Sequence, residues 1–312
     1  MTLLVRDEAD VIDTHIAYHL AAGVDCVIAT DHRSVDGTTE ILESYARDGY
    51  VHLIRRDDEH IQQSAWMTEM ARLAATEHGA DWVLNSDADE FWWPAAPSLK
   101  DALAAVPHTH GIVYAISRVF VPRPGTEWFP ERMTIRLELP AAINDPATPY
   151  RHVAKVAHRA HPDVVVLQGN HRIGGIPFRD LRGWSPLELL HFPLRSPEQA
   201  AAKHENTWTA WEVNLRGDIA VARGTSRYYD RLVVDDAAVA RGLAEGSLVD
   251  DTRLRDALRA LRDEGSLWLG AQPFAERASH ALEDVLLFEA DGVRLQRRAD
   301  ELAARVYGSA QP

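Results

Sequence analysis

Three carboxylates in a row of four residues, Asp87-Ala88-Asp89-Glu90, close the short apolar run Trp82-Val83-Leu84-Asn85-Ser86. An apolar run of that length reads as a buried strand. In extended chain alternate side chains share a face, so Asp87 and Asp89 would point one way and Ala88 and Glu90 the other. Two like charges converging at the end of a buried strand are costly unless a cation lies between them. Oxygen ligands of this kind favour a hard divalent ion, commonly one shared with substrate phosphates. A plainer reading stays open, in which Asp87 or Asp89 caps the next helix and Glu90 is solvated. Asp7, after Leu3-Leu4-Val5, and Asp31, after Val24 to Thr30, also end strand-like runs.

Those carboxylates need elements to position them. Thr2 to Val5, Val24 to Thr30, Val51 to Ile54 and the run before Asp87 read as four strands. Helices are expected between them: from Asp10 as N-cap to Gly23, from Asp36-Gly37-Thr38 to Gly49, and from about Ile61 to His78. Strands alternating with helices predict an α/β architecture, a Rossmann-like, mostly parallel sheet with helices on both faces. Its ligand crevice would lie at the strands' carboxyl ends. Asp7, Asp31 and Asp87 would then line one crevice.

Further on, a short helix is expected over 99–106 and strands over 111–120, 133–139, 151–158, 164–167 and 188–192, with a proline-marked loop at Pro122, Pro124 and Pro130. Ser196-Pro197-Glu198-Gln199 has capping-box spacing with proline in the first turn. From there to Pro312 the sequence reads as helical, broken near Gly246, Gly265 and Pro273. The expected organisation is a ligand-binding half over 1–122, a second half of the same domain over 123–195, and a helical region over 196–312.

Composition narrows the partners. A net charge of −14 argues against nucleic acid, whose phosphates are bound through basic surface. It leaves small phosphorylated ligands open, because these need only a local cation. The single cysteine, Cys26, forbids an internal disulfide and reads as a buried filler. No apolar run reaches the roughly 18–20 residues needed to cross a bilayer. The chain opens directly into an apolar strand without a basic leader, so a cytoplasmic location is the expectation.

The ordered set Arg6-Asp7-Glu8, Asp31 with Ser34-Val35-Asp36-Gly37-Thr38, and Asp87-Ala88-Asp89-Glu90-Phe91 resembles the family 2 glycosyltransferases. More narrowly it resembles the branch related to family 92, where an Asp-x-Asp-Glu-Phe turn is typical. Lys155, His171, His191-Phe192, Arg195-Ser196 and Lys203 also look like that branch, with Phe192 and Arg195 where it has tyrosine and lysine. The resemblance is specific over about 1–95, weaker to about 205 and absent beyond.

It implies a GT-A fold and transfer of a sugar from a nucleotide-diphosphate donor, with uridine as the expected base, to a hydroxyl of a small-molecule or glycan acceptor. By the same resemblance Arg6, Glu8 and Asp31 would contact the base and ribose. Asp87 would contact ribose or the metal-bound diphosphate, and Asp89 would bind the metal. His191 would complete the metal site, with His171 as its rival. Gln63, Arg195 and Lys203 join the expected donor-binding set. A histidine nitrogen beside oxygen ligands favours Mn2+ over Mg2+.

Several residues carry two readings. His191 sits in an apolar segment, where a core histidine is the ordinary case. Trp92 and Trp93 would stack on sugar faces or pack under the Pro94 loop. Inverting transfer needs a carboxylate base opposite the leaving group. Asp180, Glu131 and Glu188 are the candidates, with Asp180 preferred for its place in a loop after Gly174-Gly175. Two other functions compete with the transferase. One is a nucleotide-sugar-binding protein without catalysis. The other is a sugar-phosphate nucleotidyltransferase, which would place a glycine-rich loop where Arg6-Asp7-Glu8-Ala9-Asp10 stands.

Overall fold

A computed structural model describes residues 1–138, 154–181, 185–201 and 233–264. The expected alternation is present in the first part of the chain: β1 (Thr2–Val5), α1 (Ile12–Ala21), β2 (Val27–His32), α2 (Thr38–Arg47), β3 (Val51–Arg56), α3 (Gln63–Thr76) and β4 (Trp82–Ser86). These four strands are parallel in the order β3-β2-β1-β4. The chain lays β2 and β3 on one side of β1, then crosses to lay β4 on the other. The switch point therefore falls between β1 and β4, where open α/β sheets leave a crevice.

Alternation along the strands feeds two cores. Leu3, Val5, Val27, Ala29 and Leu84 face one that includes Ile12, Ile16 and Leu42. Ile28 and Val83 face the other, built on Met67, Met70 and Ala74 of α3. Being buried on both faces explains why these strands read as nearly continuous apolar runs.

The second part adds β5 (Glu90–Pro94), α4 (Leu99–Ala104), β6 (His110–Val119), α5 (Phe129–Arg132), β7 (Ile135–Leu137), β8 (Lys155–Arg159), β9 (Val165–Val166), β10 (Ile173–Gly174), β11 (Arg179–Asp180) and β12 (Leu187–His191). The main sheet continues as β4-β8-β6-β12-β5, with β11 on β6. Strand β8 is antiparallel to β4 and β6, and β5 is antiparallel to β12. Strands β4 and β5 are thus four ladder steps apart, about 19 Å on a flat sheet. Only Asp87, Ala88 and Asp89 join them, and Ser86 to Glu90 spans at most about 14 Å. The sheet must curl, and the acidic turn is where it closes.

Of the two readings open for Trp92 and Trp93, packing agrees with their burial: with Phe91 they form part of β5. Three expectations change. Asp10 does not cap α1, which starts after Val11; its carboxylate is taken by Arg195. The carboxyl-terminal third is not helical throughout. Between α6 (Asp236–Glu245) and α7 (Arg253–Glu264), β13 (Leu248–Asp250) pairs with β7. Cys26 is only half-buried. Gly246 ends α6 in the left-handed region, as expected of a C-cap glycine. Gly265, Pro273 and the residues beyond lie outside the described residues. No helix among the described residues is long and apolar enough to cross a membrane.

His15, His19 and His158 are wholly buried. Burial pushes His15 down to about 3, His158 to about 4 and His19 well below its usual value, so all three are neutral. The unfolded chain takes up protons at these rings near pH 6.5, while the folded chain does not. Their stabilisation is complete above that pH and is lost as pH falls from about 6.5 towards 4. Burial pushes Glu90 up to about 7, against the pull of Lys155, which works in the opposite sense between about 4.5 and 7. Three histidines outweigh one carboxyl. At pH 5 each histidine should cost about 1–2 kcal/mol, so the thermal midpoint should drop clearly between pH 7.5 and pH 5. A flat profile over that window would contradict the neutral-core assignment.

Candidate active site

Asp87, Ala88 and Asp89 form a tight turn. Glu90 N–H donates to the Asp87 carbonyl at 3.2 Å, and Asp87 N–H donates to Glu90 Oε2 at 3.1 Å. The turn breaks the strand alternation, so Asp87 and Glu90 share one cation while Asp89 turns to others. Asp87 Oδ2 accepts from Lys155 Nζ at 2.5 Å and its Oδ1 accepts from Asn170 Nδ2 at 3.2 Å. Asp89 Oδ1 lies 3.6 Å from His191 Nε2, and its Oδ2 lies 3.8 Å from Arg195 Nη1. Glu90 is buried, 3.5 Å from Lys155 Nζ, and is opposite His191 in the β5–β12 ladder.

The metal expectation therefore meets a divided turn. Asp89 and His191 are brought together, and His191 is the more open of the two, with 26% of its side chain exposed against 3%. Asp87 stands apart on Lys155. Among the described residues no three His, Cys, Asp or Glu side chains are arranged to hold an ion by themselves. His171, the rival, has Nδ1 3.2 Å from the Ala154 carbonyl, and burial pushes it down to about 4, so it is neutral and donates there. Its ring packs over Gly169. A Cβ at Gly169 would meet that ring at 2.5 Å, and the backbone there has φ +78°, so glycine is required twice over.

Arg195 is almost fully buried and ties three segments together. It donates to Glu8 Oε2 at 2.5 Å, to both carboxylate oxygens of Asp10 at 2.8 and 2.7 Å, and to the Phe192 carbonyl at 3.2 Å. Enclosed in this way it holds the protein's own acids rather than a donor, a correction to the expected role. The resulting surplus of negative charge holds its guanidinium protonated. The Ser196 helix start is capped as expected: Gln199 N–H donates to Ser196 Oγ at 3.1 Å, and Gln199 Oε1 accepts from Arg195 N–H at 3.1 Å.

The rim around the turn is built from backbone in unusual conformations. Asp7, Arg33 and Asn170 have φ of 55°, 60° and 61°, and they are the positive-φ non-glycine residues of the described chain. Asp7 lies two residues past β1, Arg33 directly follows β2, and Asn170 faces Asp87. Such residues cost of order 1–3 kcal/mol and persist where surroundings over-determine them. Asp7 Oδ1 accepts from Val35 N–H at 2.8 Å, locking the β1 loop to the β2 loop. Asp36 locks it again, accepting from Ala9 N–H at 2.9 Å and from Thr38 N–H at 3.0 Å.

Asp31 is at the expected strand end. Its Oδ1 accepts from Ser34 N–H at 3.2 Å and its Oδ2 from Thr39 Oγ1 at 2.5 Å, so it also braces this loop. Arg6 is half-exposed on the rim, with its Nε buried, 3.7 Å from Asp7 and without a hydrogen-bond partner. Gln63 Oε1 accepts from Gln168 Nε2 at 2.7 Å and from Gly169 N–H at 3.1 Å, pinning the Gln168–Asn170 turn to α3. Lys203 lies outside the described residues.

None of the three base candidates is brought to this turn. Asp180 pairs with Ile112 on β6, whereas His191 pairs with Val119, seven residues or roughly 23 Å along the strand. Glu131 is gripped by Arg259 of α7, whose hydrogen bonds hold its carboxyl below the usual range. Burial alone would raise Glu188, but Arg253 and Arg118 outweigh it and hold the carboxyl low. A carboxylate clamped by guanidiniums is a poor proton acceptor.

The sequence did not mark Asn170 as a site residue, and it gave Glu90 no partner. An asparagine after a glycine, as in Gly169-Asn170, was the available signal for a left-handed residue. A cavity of about 710 Å³ lies at the other end of the sheet, lined by Met1, Ile28, Trp82, Leu84 and Arg159, away from all these groups.

Residues 3–124 match the family model of glycosyltransferase family 92. The matched segment carries Asp31, Asp87 and Asp89. No curated protein matches the chain. Among solved structures, TarS of S. aureus in complex with UDP-GlcNAc is 11% identical, over 78% of this chain and 72% of that one, with a TM-score of 0.35. TarS in complex with UDP is 14% identical, over 78% and 71%, with a TM-score of 0.32. A mycobacterial protein is 22% identical over 40% of this chain and 41% of that one, with a TM-score of 0.25. Likeness at this level carries no residue roles.

Replacing Arg195 by Met would leave Glu8, Asp10 and Asp89 without their guanidinium. Breaking a buried ion network from one side costs about 3–5 kcal/mol. Urea denaturation of Arg195→Met should show a loss of that order. A loss below about 1 kcal/mol would mean that Arg195 does not hold the three acids together.

Proposed function

We propose that the protein is a metal-dependent glycosyltransferase of GT-A type. It would move a sugar from a nucleotide diphosphate, with uridine as the base the resemblance implies, to a hydroxyl acceptor. The observation that carries this reading is the Asp89–His191 pair beside the β1/β4 switch point, of which Asp89 lies within the segment that matches family 92. Their 3.6 Å separation is one that a single divalent ion with bonds of about 2.1 Å bridges. A two-residue donor set suits an ion that fills its shell with substrate phosphate oxygens. Bound there, Mn2+ or Mg2+ would neutralise the diphosphate as the sugar leaves.

The chain's own residues do the remainder. Asp87, with 38% of its side chain exposed, is aimed by Lys155 and Asn170 and offers an acceptor for donor hydroxyls. Arg6, half-exposed on the rim beside Asp7, would meet the nucleotide with the open part of its side chain. Arg195 and the β1–β2 loop locks hold the crevice walls still, so that little reorganisation is left for the reacting state. An inverting course requires a carboxylate that faces the acceptor. Asp180, Glu131 and Glu188 are engaged or distant in the geometry above, and none is assigned that role.

Asp89→Asn changes charge without size. It should lower metal-dependent transfer by about two orders of magnitude or more while leaving the circular dichroism spectrum intact. Turnover near the wild-type rate in that variant would remove Asp89 from the site. His191→Ala should shift the Mn2+ titration of activity more than it weakens nucleotide affinity, and an unchanged titration would return His191 to the core. A thermal-shift panel of nucleotide sugars, each with and without Mn2+, identifies the donor as the one whose midpoint rises only with the ion.

A further inference from the structure

Lys155 begins β8, far from the acidic turn in sequence, yet its ammonium is the group closest to Asp87. It is 3% exposed and meets three acceptors, Asp87 Oδ2 at 2.5 Å, the Gly169 carbonyl at 3.0 Å and Glu90 Oε2 at 3.5 Å. An ammonium has three N–H donors, so its capacity is used within the protein. Asp87 is held from its second side by Asn170, itself buried and in the left-handed region. Asp89 is meanwhile drawn towards His191 and Arg195. Two acids that one ion could gather are pulled to separate cations.

We propose that Lys155 is a positioning residue that keeps Asp87 off the metal, so that the ion is held by Asp89 and His191 and binds firmly only when a nucleotide diphosphate supplies the missing ligands. This inference rests on the functional reading above. Its physical basis is competition for one carboxylate. A cation about to bind Asp87 must displace a buried ammonium 2.5 Å away, and until then it is repelled by it. Removing that ammonium frees an acid with 38% of its side chain exposed to join Asp89 and His191. A two-ligand set would become a three-ligand set, and Mn2+ would bind without nucleotide.

The experiment is a nucleotide-free Mn2+ titration, with free ion read by electron paramagnetic resonance, on the wild type and four variants. Lys155→Met removes the charge. Lys155→Met with Glu90→Gln also removes a buried acid that the ammonium faces, which guards the fold. Lys155→Met with Asp87→Asn withdraws the released ligand, and Lys155→Arg restores a cation. Mn2+ affinity should rise about tenfold or more in the first two, because a third charged ligand joins the ion. It should return to the wild-type level in the Asp87→Asn and Lys155→Arg variants. A merely structural lysine would not produce tighter ion binding that Asp87→Asn reverses. Affinity equal to or weaker than wild type in the Lys155→Met, Glu90→Gln protein, with a native circular dichroism spectrum, overturns the proposal. Adding UDP to the wild type tests the functional reading by itself. No gain in Mn2+ affinity there would sink that reading, while the nucleotide-free comparison still decides the role of Lys155.

Discussion

A three-residue connection between strands that lie four ladder steps apart is the constraint on which the rest of this structure depends. Asp87, Ala88 and Asp89 can bridge β4 and β5 only if the sheet curls until its far edge meets its centre. The curl brings β8, β12 and the β1 loop round the turn. It also encloses Asp89 and Glu90, which are 2% and 3% exposed. Carboxylates enclosed in this way need cations close by, and the chain supplies two from distant positions.

Lys155 and Arg195 have the same task on opposite sides of the turn. Each is buried, and each gathers two or more acids that are remote in sequence. Buried ion pairs contribute little net stability, because desolvation offsets attraction, but they penalise any arrangement that leaves one partner alone. Here the penalised arrangements would be a slipped β5 or a displaced β1 loop. The aromatic layer beneath works in the same direction without charge. Phe192 stacks on Phe120 with ring centres 4.2 Å apart and meets Phe91 edge-on at 5.8 Å, so the strands carrying His191 and Glu90 share one packed floor.

Local sequence made the parallel half legible. Apolar runs with acidic ends, separated by stretches with a 3.6-residue period, marked β1 to β4 and α1 to α3 and placed Asp7, Asp31 and Asp87 at one end of the sheet. The turn itself was misread at the level of side-chain direction, since alternation holds for extended chain and Asp87 to Asp89 is not extended. Asp10 had the residue type of a helix cap, and a buried guanidinium claimed it instead. Trp92 and Trp93 could not be apportioned between ligand and core, because their strand forms only once β12 is beside it. The surroundings of the base candidates were hidden for a related reason. Which carboxylates meet a guanidinium, and how far down β6 each lies, is set by strand register.

Residue types and spacing are enough to say which side chains are chemically able to act: an acidic turn, a late histidine, and strand ends that share one edge. These follow from spacing along a few residues and from the preference of apolar runs for burial. Tertiary structure decided how the charges are divided, giving Asp87 to Lys155 and leaving Asp89 to His191. That division depends on groups roughly 70 to 190 positions apart in the chain meeting across a curled sheet. Local spacing carries no information about such meetings, because electrostatic pairing acts through distance in space.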